Sequence, residues 1–319
     1  MNPSMPTLSV IVPTHNRPAL LAEALASLVA QTCADWEAVV VDDASSPAVP
    51  TAQGDPRIRV VRQNPGQGGA AAKNRGIAEA RGNVIAYLDD DDLYDPDYLT
   101  RALDLLERRA DVDVVFMGVS WFGSNGAWGQ DNYDRTMERF LAGAGGAREG
   151  DVSVFGEALL PALLRSVPMA FQRPVVRRAA LDRIGGYRPD CLLWDCDWAI
   201  RAALASRAAL IHSGLYRQRA EGQGYSSKQD RTLEHMHSGI DIMERLLQAS
   251  RGGRHPEHLP LFRAAAARSW FDLAWHYYLN GRRAKVLSPL LRSALHKPGL
   301  AHLKLLSRLP LPVRPPVGH

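Results

Sequence analysis

The chain has 319 residues, of which 46% are apolar, so it can bury the core of one large domain or of two smaller ones. It contains no run of 18 apolar residues and no signal-peptide pattern, and we therefore expect neither secretion nor a membrane span. The three cysteines, Cys33, Cys191 and Cys196, form no paired framework and no CxxC metal motif, which favours a reducing, cytoplasmic location.

Charge is distributed unevenly along the chain. Residues 1–229 carry 24 basic and 28 acidic side chains, whereas residues 230–319 carry 14 and 6, for a net charge of +8. A basic segment of this kind can attract nucleic acid, anionic lipid or a polyanionic substrate. No nucleic-acid recognition motif accompanies the charge, so we expect no nucleic acid as a partner. These differences predict two domains, residues 1–229 and a basic subdomain of residues 230–319.

Strand and helix patterns alternate over the first 120 residues. Short apolar runs indicate buried strands, and apolar residues three and four apart indicate helices. The order predicts an α/β fold with a mainly parallel sheet covered by helices. We predict strands at Leu8–Val12, Trp36–Val41, Ile58–Val61, Val84–Leu88 and Val112–Met117, with helices after the first strand, at Ala70–Ala80 and at Asp95–Arg108.

The rest of the chain is less regular. Gly123–Gly150 is rich in Gly, Asn and charge, which predicts a mobile loop over the site or a surface excursion. From residue 230 onward, helical spacing predicts a helical subdomain that ends in a proline-broken, poorly ordered stretch at Leu305–Pro316. Between these segments we predict strands at Ala170–Val176 and Ala208–Tyr216, helices at Leu181–Ile184 and Asp195–Ala205, and a polar loop at Ala220–Lys228.

Polar clusters follow three of the predicted strands, at residues 13–16, 42–45 and 89–92. In open α/β sheets, ligands bind at the carboxyl ends of strands, so the clusters are expected to converge. The third cluster is four consecutive aspartates, which repel one another unless a cation or proton joins them. Mg²⁺ or Mn²⁺ suits such oxygen ligands. The alternative is a solvated acidic loop that leads into a helix.

Eight short segments occur in an order and spacing that resemble the family 2 glycosyltransferases of the GT-A fold. They are SVIVPTHN (9–16), ASLVAQT (26–32), WEAVVVDDAS (36–45), NPGQG (64–68), AKNRGI (72–77), YLDDDD (87–92), GGY (185–187) and WDCD (194–197). The resemblance covers residues 7–220. It implies a GT-A catalytic domain with a Rossmann-like mixed, mainly parallel sheet flanked by helices, followed by a helical C-terminal extension.

The resemblance implies roles around a nucleotide-sugar donor. Asp89 and Asp91 match the outer positions of the family's DxD motif, which implies ribose and metal contact for Asp89 and direct Mn²⁺ or Mg²⁺ contact for Asp91. Asp43 matches the carboxylate that accepts a hydrogen bond from the nucleobase. Further implied donor contacts are Asp90 beside the metal, Pro13, Thr14 and Asn16 around the base, Asp42 at the ribose or as a turn cap, and Lys73 at phosphate or in solvent.

The resemblance also implies a catalytic base. Asp195 matches the family residue that takes a proton from the acceptor hydroxyl, although it could instead cap the helix that follows. Two positions depart from the family pattern. Trp194 replaces a Glu, and Arg219 stands where many relatives have a His near the metal. An arginine cannot ligate a cation, so Arg219 is expected to hold the diphosphate.

These features predict an inverting glycosyltransferase that transfers sugar from a nucleoside-diphosphate sugar, UDP-linked, to a glycan or lipid-linked acceptor in bacterial surface polysaccharide synthesis. Two alternatives remain: a degenerate GT-A binding module, and a sugar nucleotidyltransferase, which would need a Gly-rich loop after the first strand. Aromatic side chains in the basic tail suit either peripheral contact with the inner face of an anionic membrane or core packing. They are Trp270, Phe271, Trp275, Tyr277 and Tyr278.

Overall fold

A computed structural model describes residues 6–51, 53–221 and 231–309. Residue contacts divide the chain into two compact units. The first comprises Met1–Asp190 with Trp194–Gln229, and the second comprises Cys191–Leu193 with Asp230–His319. We keep residue 229 as the proposed domain boundary. In the described parts of the chain, no helix is both long enough and apolar enough to span a bilayer.

The first unit is built on a mixed sheet whose parallel half carries all three polar clusters. Strands β1 (Leu8–Thr14), β2 (Trp36–Asp43), β3 (Ile58–Gln63) and β4 (Val84–Tyr87) run parallel in the spatial order β3-β2-β1-β4. All of β2 and nearly all of β1 are buried, as expected for parallel strands covered on both faces. These four strands agree with the predicted ones.

Beyond β4 the sheet continues with mostly antiparallel pairings. The described residues give the spatial order β4-β9-β6-β10-β8-β7, with β5 beside β10. The long strands β6 and β10 run parallel to each other, so the sheet is mixed, as the resemblance implied. The remaining strands are β5 (Leu93–Tyr94), β6 (Val114–Phe122), β7 (Ala147–Glu149), β8 (Val152–Val154), β9 (Val175–Arg177) and β10 (Ala208–Arg219).

Helices flank this sheet. Helix α2 (Gly69–Glu79) packs on β1 and β2 of the parallel half, and α1 (Pro18–Val29) packs on β5. Helix α7 (Trp194–Ala205) carries at its start the aspartate predicted as base. The helices of the first unit are α1 (Pro18–Val29), α2 (Gly69–Glu79), α3 (Tyr98–Arg108), α4 (Gly126–Ala144), α5 (Leu159–Leu163), α6 (Arg178–Ile184) and α7 (Trp194–Ala205).

Most of Gly123–Gly150 forms helix α4, so the prediction of a mobile loop there is wrong. One face of this helix is buried and carries Met137, Phe140 and Ala144. Its glycine-rich first turns lie against β6, where a Cβ on Gly129 would come within 2.6 Å of the Trp121 ring. Tertiary packing therefore overrides the weak helix propensity of Gly and Asn.

The predicted strand at Ala170–Val176 is also largely wrong. A 3₁₀ helix occupies Met169–Gln172, and only Val175–Arg177 forms a strand, β9. Pro174 lies between the two and has no N–H to donate to a strand ladder. The break leaves the buried Arg173 between the elements, where it faces the polar strand ends described below.

The described part of the second unit is helical, with α8 (Thr232–Arg251), α9 (Leu259–Leu279), α10 (Leu287–His296) and α11 (Leu300–Arg308). A small core joins the last three helices through Ala274, Tyr278, Val286, Leu290 and Leu305. Because α11 continues through Arg308, the prediction of poor order is wrong for residues 305–308. Residues 310–316, like 222–228 of the predicted polar loop, lie outside the described residues.

Candidate active site

The loops after β1, β2 and β4 contact one another, so the three polar clusters converge as predicted. Pro13 and Thr14 are the last residues of β1, and the Thr14 hydroxyl donates to Asp90 Oδ2 at 2.7 Å. Asn16 has a left-handed backbone with φ of 54°. Its N–H donates to the Ser45 hydroxyl at 2.9 Å, which joins the first loop to the second.

The two aspartates that end β2 organise backbone turns. Asp42 is buried and accepts hydrogen bonds from the backbone N–H groups of Ser45 at 2.8 Å and Val49 at 3.1 Å. Burial alone would raise the pKa of Asp42, but these hydrogen bonds hold it below its ordinary value. These contacts are those of the predicted turn cap, and the ribose contact of Asp42 remains a prediction.

Asp43 holds the glycine-rich loop that leads into α2. Its Oδ1 accepts from the backbone N–H of Gln67 at 2.7 Å, and its Oδ2 accepts from that of Gly68 at 2.8 Å. The side-chain amide of Gln63 also donates to Oδ1, at 2.5 Å. Asp43 therefore lies at the edge of the cluster and fixes the loop beside it.

The four aspartates of the acidic run point to different partners. Asp92 is buried and accepts from the Tyr216 hydroxyl at 2.8 Å and from the Arg219 N–H at 2.9 Å. Asp90 and Asp91 both contact Arg17 Nη1, at 3.1 and 3.0 Å. The run is therefore a folded turn with partly buried carboxyls, rather than the solvated loop of the alternative reading.

A fully buried lysine and a buried arginine link the acidic run to helix α7. Lys73 Nζ lies 3.0 Å from Asp89 Oδ1 and 3.9 Å from Asp195 Oδ1. Arg173 contacts the same two carboxylates, with Nη2 at 2.5 Å from Asp89 and Nη1 at 3.3 Å from Asp195. Lys73 is thus not a solvated side chain, and it shares two carboxylates with Arg173.

Two polar atoms in this cluster lack an aligned hydrogen bond to any described residue. They are Lys73 Nζ, whose contact with Asp89 is an ion pair without hydrogen-bond alignment, and Asp195 Oδ1. The Lys73 ammonium also lies 4.3 Å from the centre of the Trp194 ring, a cation–π contact. The residue that replaces the family's Glu therefore covers this lysine. Buried polar atoms are normally paired, so this pair is a candidate point of ligand contact.

Burial raises the pKa of several of these carboxyls. It raises the pKa of Asp195 to about 6 against the opposing effect of Lys73 and Arg173. It likewise raises the pKa of Asp90 to about 6, and burial with the nearby Asp91 raises that of Asp92 to about 7. Asp89 differs, because Arg173 and Lys73 overcome the effect of burial and lower its pKa to about 2. The ionised form of Asp89 is therefore the most strongly stabilised.

Arg219 is engaged with protein groups. Its Nε donates to the Asp91 carbonyl at 3.0 Å, its Nη2 lies 2.5 Å from Glu23 on α1, and its guanidinium covers the ring of Phe122 at 4.7 Å. In the described geometry it fastens the acidic turn to α1. The diphosphate contact predicted for Arg219 remains a prediction.

Three residues of the site were missed from the sequence. Arg17 directly follows the first polar cluster, and its position there was a usable signal. Arg173 was the one charge within an apolar run, an unusual place for an unpaired cation. Tyr216, whose hydroxyl accepts from Arg173 Nε at 3.2 Å and donates to Asp92, had no distinguishing sequence signal.

In the acidic turn, Asp91 is better suited than Asp89 to bind a divalent cation. Among the described residues, no cluster of three His, Cys, Asp or Glu side chains forms a preassembled metal site. Both oxygens of Asp89 are ion-paired to buried cations, whereas the cation that contacts Asp91 is the partly exposed Arg17. Mg²⁺ and Mn²⁺ sites often need one or two carboxylates, with phosphate oxygens and water completing the shell. Asp91 fits that requirement.

A mixed sheet with an acidic turn, a β2 aspartate pair and an α7 aspartate at one edge defines a GT-A-type α/β protein. A profile of glycosyl transferase family 2 matches residues 9–156. The chain is 30% identical over 199 residues to the uncharacterized glycosyltransferase YwdF of Bacillus subtilis, a match covering 61% of this chain and 68% of that protein. The chain belongs to glycosyltransferase family 2.

Other similarities are shorter or support the fold alone. Over 112 residues the chain is 40% identical to the GalNAc(5)-diNAcBac-PP-undecaprenol beta-1,3-glucosyltransferase of Campylobacter jejuni, covering 33% of this chain and 35% of that one. It spans 13 to 37% of the length of three further curated relatives. Residues 1–349 of S. aureus TarS, crystallised with UDP-GlcNAc, share the fold with a TM-score of 0.60 at 18% identity, over 95% of this chain and 82% of that one.

Proposed function

We propose that the protein is an inverting glycosyltransferase. It takes a sugar from a nucleoside-diphosphate sugar, UDP-linked, and adds it to a glycan or lipid-linked acceptor during bacterial surface polysaccharide synthesis. Family membership supports the reaction class. The crystallised complex of TarS with UDP-GlcNAc supports a UDP-linked donor, and the undecaprenol in the name of the Campylobacter relative supports a lipid-linked acceptor.

The observation that carries the proposal is that the two carboxylate oxygens of Asp195 have different surroundings. One carboxylate oxygen, Oδ2, is held by Arg173, while Oδ1 accepts no aligned hydrogen bond from the described residues. A general base needs this arrangement, since one oxygen fixes its direction and the other receives the proton. Its pKa of about 6, raised by burial, makes it a better proton acceptor near neutral pH than an ordinary aspartate.

The buried cations Lys73 and Arg173 are proposed to bind the diphosphate of the sugar donor. Lys73 Nζ lies 3.9 Å from Asp195 Oδ1, so a diphosphate that reached this buried ammonium would lie next to the base. Asp43 is proposed to contact the nucleobase from the edge of the cluster, and Pro13, Thr14 and Asn16 shape the same edge. Asp89 positions Lys73 and Arg173 through its two ion pairs.

A divalent cation, when bound, would neutralise charge that develops on the diphosphate leaving group. Asp91 would hold it, assisted by Asp89 only if that carboxylate exchanges one of its ion pairs. Asp90 and Asp92 keep the turn folded through Thr14 and Tyr216.

The reaction follows from these positions as a single displacement. Asp195 accepts the proton of the acceptor hydroxyl while the acceptor oxygen forms a bond to the anomeric carbon of the donor. The bond between that carbon and the diphosphate oxygen breaks, and its electron pair leaves with the nucleoside diphosphate. Attack opposite the leaving group inverts the anomeric centre.

The test is donor binding and turnover with the purified full chain. Thermal shift and calorimetry against UDP-sugars and GDP-mannose, with and without Mn²⁺, identify the nucleotide. Release of nucleoside diphosphate from the bound donor, with water as acceptor, then separates an enzyme from a degenerate binding module. Donor binding without any release, in every metal condition, would favour the binding module. Pyrophosphate release from a nucleoside triphosphate and a sugar phosphate would favour the nucleotidyltransferase.

A further inference from the structure

The second unit exposes leucine side chains on two successive helices. On α10, Leu287, Leu291 and Leu295 are 47, 64 and 78% exposed. On α11, Leu300, Leu303 and Leu306 are 72, 63 and 39% exposed. We call these six residues the leucine face. Leucines usually lie inside proteins, and exposed apolar side chains that neighbour one another along a helix mark interaction sites.

The spacing shows that these leucines form stripes opposite the core. On α10 they recur every fourth residue, so they lie about 40° apart around the helix. The core side of α10 carries Leu290, and that of α11 carries Leu305. Each helix is therefore apolar on both sides, which is unusual for a helix at a water-exposed surface.

The charge around the leucine face has one sign. Asp272 is the last acidic residue of the sequence, and eight lysines and arginines follow it up to residue 319. The whole net charge of +8 in residues 230–319 therefore arises after Asp272. Several of these cations border the leucines directly, and Arg292, Lys297, Lys304 and Arg308 are exposed.

We propose that the leucine face docks the protein on an anionic lipid bilayer. The leucines would enter the boundary between head groups and acyl chains, and the neighbouring cations would contact lipid phosphates. Charge complementarity favours this occupant over a second copy of the chain, because two copies would bring like charges together. The inference rests on the proposed function in one respect, since a bilayer is where a lipid-linked acceptor would be met.

The structure reassigns the residues predicted to contact a membrane. Tyr278 is buried in the core of the second unit, and Phe271, Trp275 and Tyr277 pack against that core. Trp270 donates its indole N–H to Glu244 at 2.7 Å. Four of the five aromatics therefore pack in or against the core, which is the alternative that the sequence left open. The leucine face, which the sequence analysis did not single out, takes over the proposed membrane contact.

Co-sedimentation of the full chain with vesicles tests the proposal. Vesicles of phosphatidylglycerol with phosphatidylethanolamine are compared with neutral phosphatidylcholine, at low and high salt. The double variant Leu291→Gln with Leu303→Gln is expected to bind acidic vesicles at least about tenfold more weakly, because each buried leucine contributes strongly to transfer from water. Lys304→Gln is expected to lose about fivefold, and raising the salt should weaken wild-type binding.

The matched control is Trp128→Gln, which removes an apolar side chain that is 69% exposed but belongs to the first unit. It should bind vesicles as the wild type does. All of these positions are exposed, so melting temperatures should stay close to wild type. Equal binding to acidic and neutral vesicles, or unchanged binding of the leucine variant, would overturn the proposal. So would a wild-type dimer that the leucine variant converts to monomer without vesicle binding.

Donor binding measured on the same preparations without vesicles separates this inference from the proposed function. Donor binding with no vesicle binding would contradict the leucine-face proposal alone. Vesicle binding by a protein that binds no nucleotide sugar would contradict the proposed function and leave the docking surface supported.

Discussion

The substitution Asp195→Asn tests the proposed base most directly. Asparagine keeps the size of the side chain and an oxygen that can accept from Arg173, which contacts Asp195 Oδ2 at 3.3 Å. It cannot take a proton. We expect donor affinity close to wild type and turnover lower by about 10² to 10⁴, the usual range for a positioned general base. That loss corresponds to about 3 to 5 kcal/mol of activation free energy.

The same substitution should not destabilise the fold. Burial raises the pKa of Asp195 from its ordinary value of 3.8 to about 6. A carboxyl whose pKa is raised by folding costs stability as the pH rises from about 4 through 6, because the unfolded chain loses its proton first. At pH 8 the ionised carboxylate costs about 3 kcal/mol, and the neutral amide avoids this cost. The variant should therefore melt at or above the wild-type temperature at pH 8.

The assay is release of nucleoside diphosphate under conditions where chemistry limits the rate, with melting followed in parallel. Wild-type kcat/KM, which reports groups of the free enzyme, should rise with pH through about 6 as Asp195 ionises. Asp197→Asn on the same helix is the control. Asp197 is buried and accepts from Arg188 and Arg201, each at 2.8 Å, so this change should lower stability while folded molecules keep most of their turnover. Wild-type turnover in Asp195→Asn, or a product that retains the donor's anomeric configuration, would remove Asp195 from the role.

Three further changes test other parts of the molecule. Asp91→Ala should abolish Mn²⁺-stimulated donor binding, measured by calorimetry, with little change in melting temperature; full Mn²⁺-dependent activity would contradict the metal assignment. Asp43→Ala should weaken UDP binding by about 1 to 3 kcal/mol if the contact is buried, and it should also lower stability because the loop at residues 67–68 loses its acceptor. Unchanged affinity for UDP, once UDP is known to bind, would leave Asp43 only its loop role. Gly129→Ala should cost about 1 to 3 kcal/mol in denaturant unfolding, because its Cβ would lie 2.6 Å from the Trp121 ring, and an unaffected variant would contradict the packing of α4.

The sequence predicted the parallel half of the sheet well because its strands are short apolar runs bounded by turn residues. Those runs also determined where the polar clusters lie, since each cluster follows a strand end. Helix α4 could not be predicted, because the glycines of its first turns are explained only by the close approach of Trp121. Local propensity carries no information about such a distant contact.

The acidic residues of the candidate site could be predicted from the sequence, whereas its basic residues mostly could not. Asp43, Asp91 and Asp195 stand in recognisable short motifs, and the structure brings their loops to one edge of the sheet. Arg173 comes from a segment predicted as plain strand, and only the tertiary fold shows that it joins Asp89 to Asp195. Cations that compensate acidic motifs have no fixed spacing from them in the sequence. Sequence patterns therefore do not identify these cations.

The sharing of Lys73 and Arg173 between two carboxylates has a consequence for the order of events. Both cations lower the proton affinity of Asp195, against the effect of its burial. An anionic diphosphate bound to either cation would partly neutralise its effect on Asp195. The proton affinity of Asp195 would then increase. The aspartate thus becomes a stronger base when the sugar donor is present, which favours a sequence in which the donor binds before the acceptor is activated. Without bound donor, Lys73 and Arg173 would keep the proton affinity of Asp195 low.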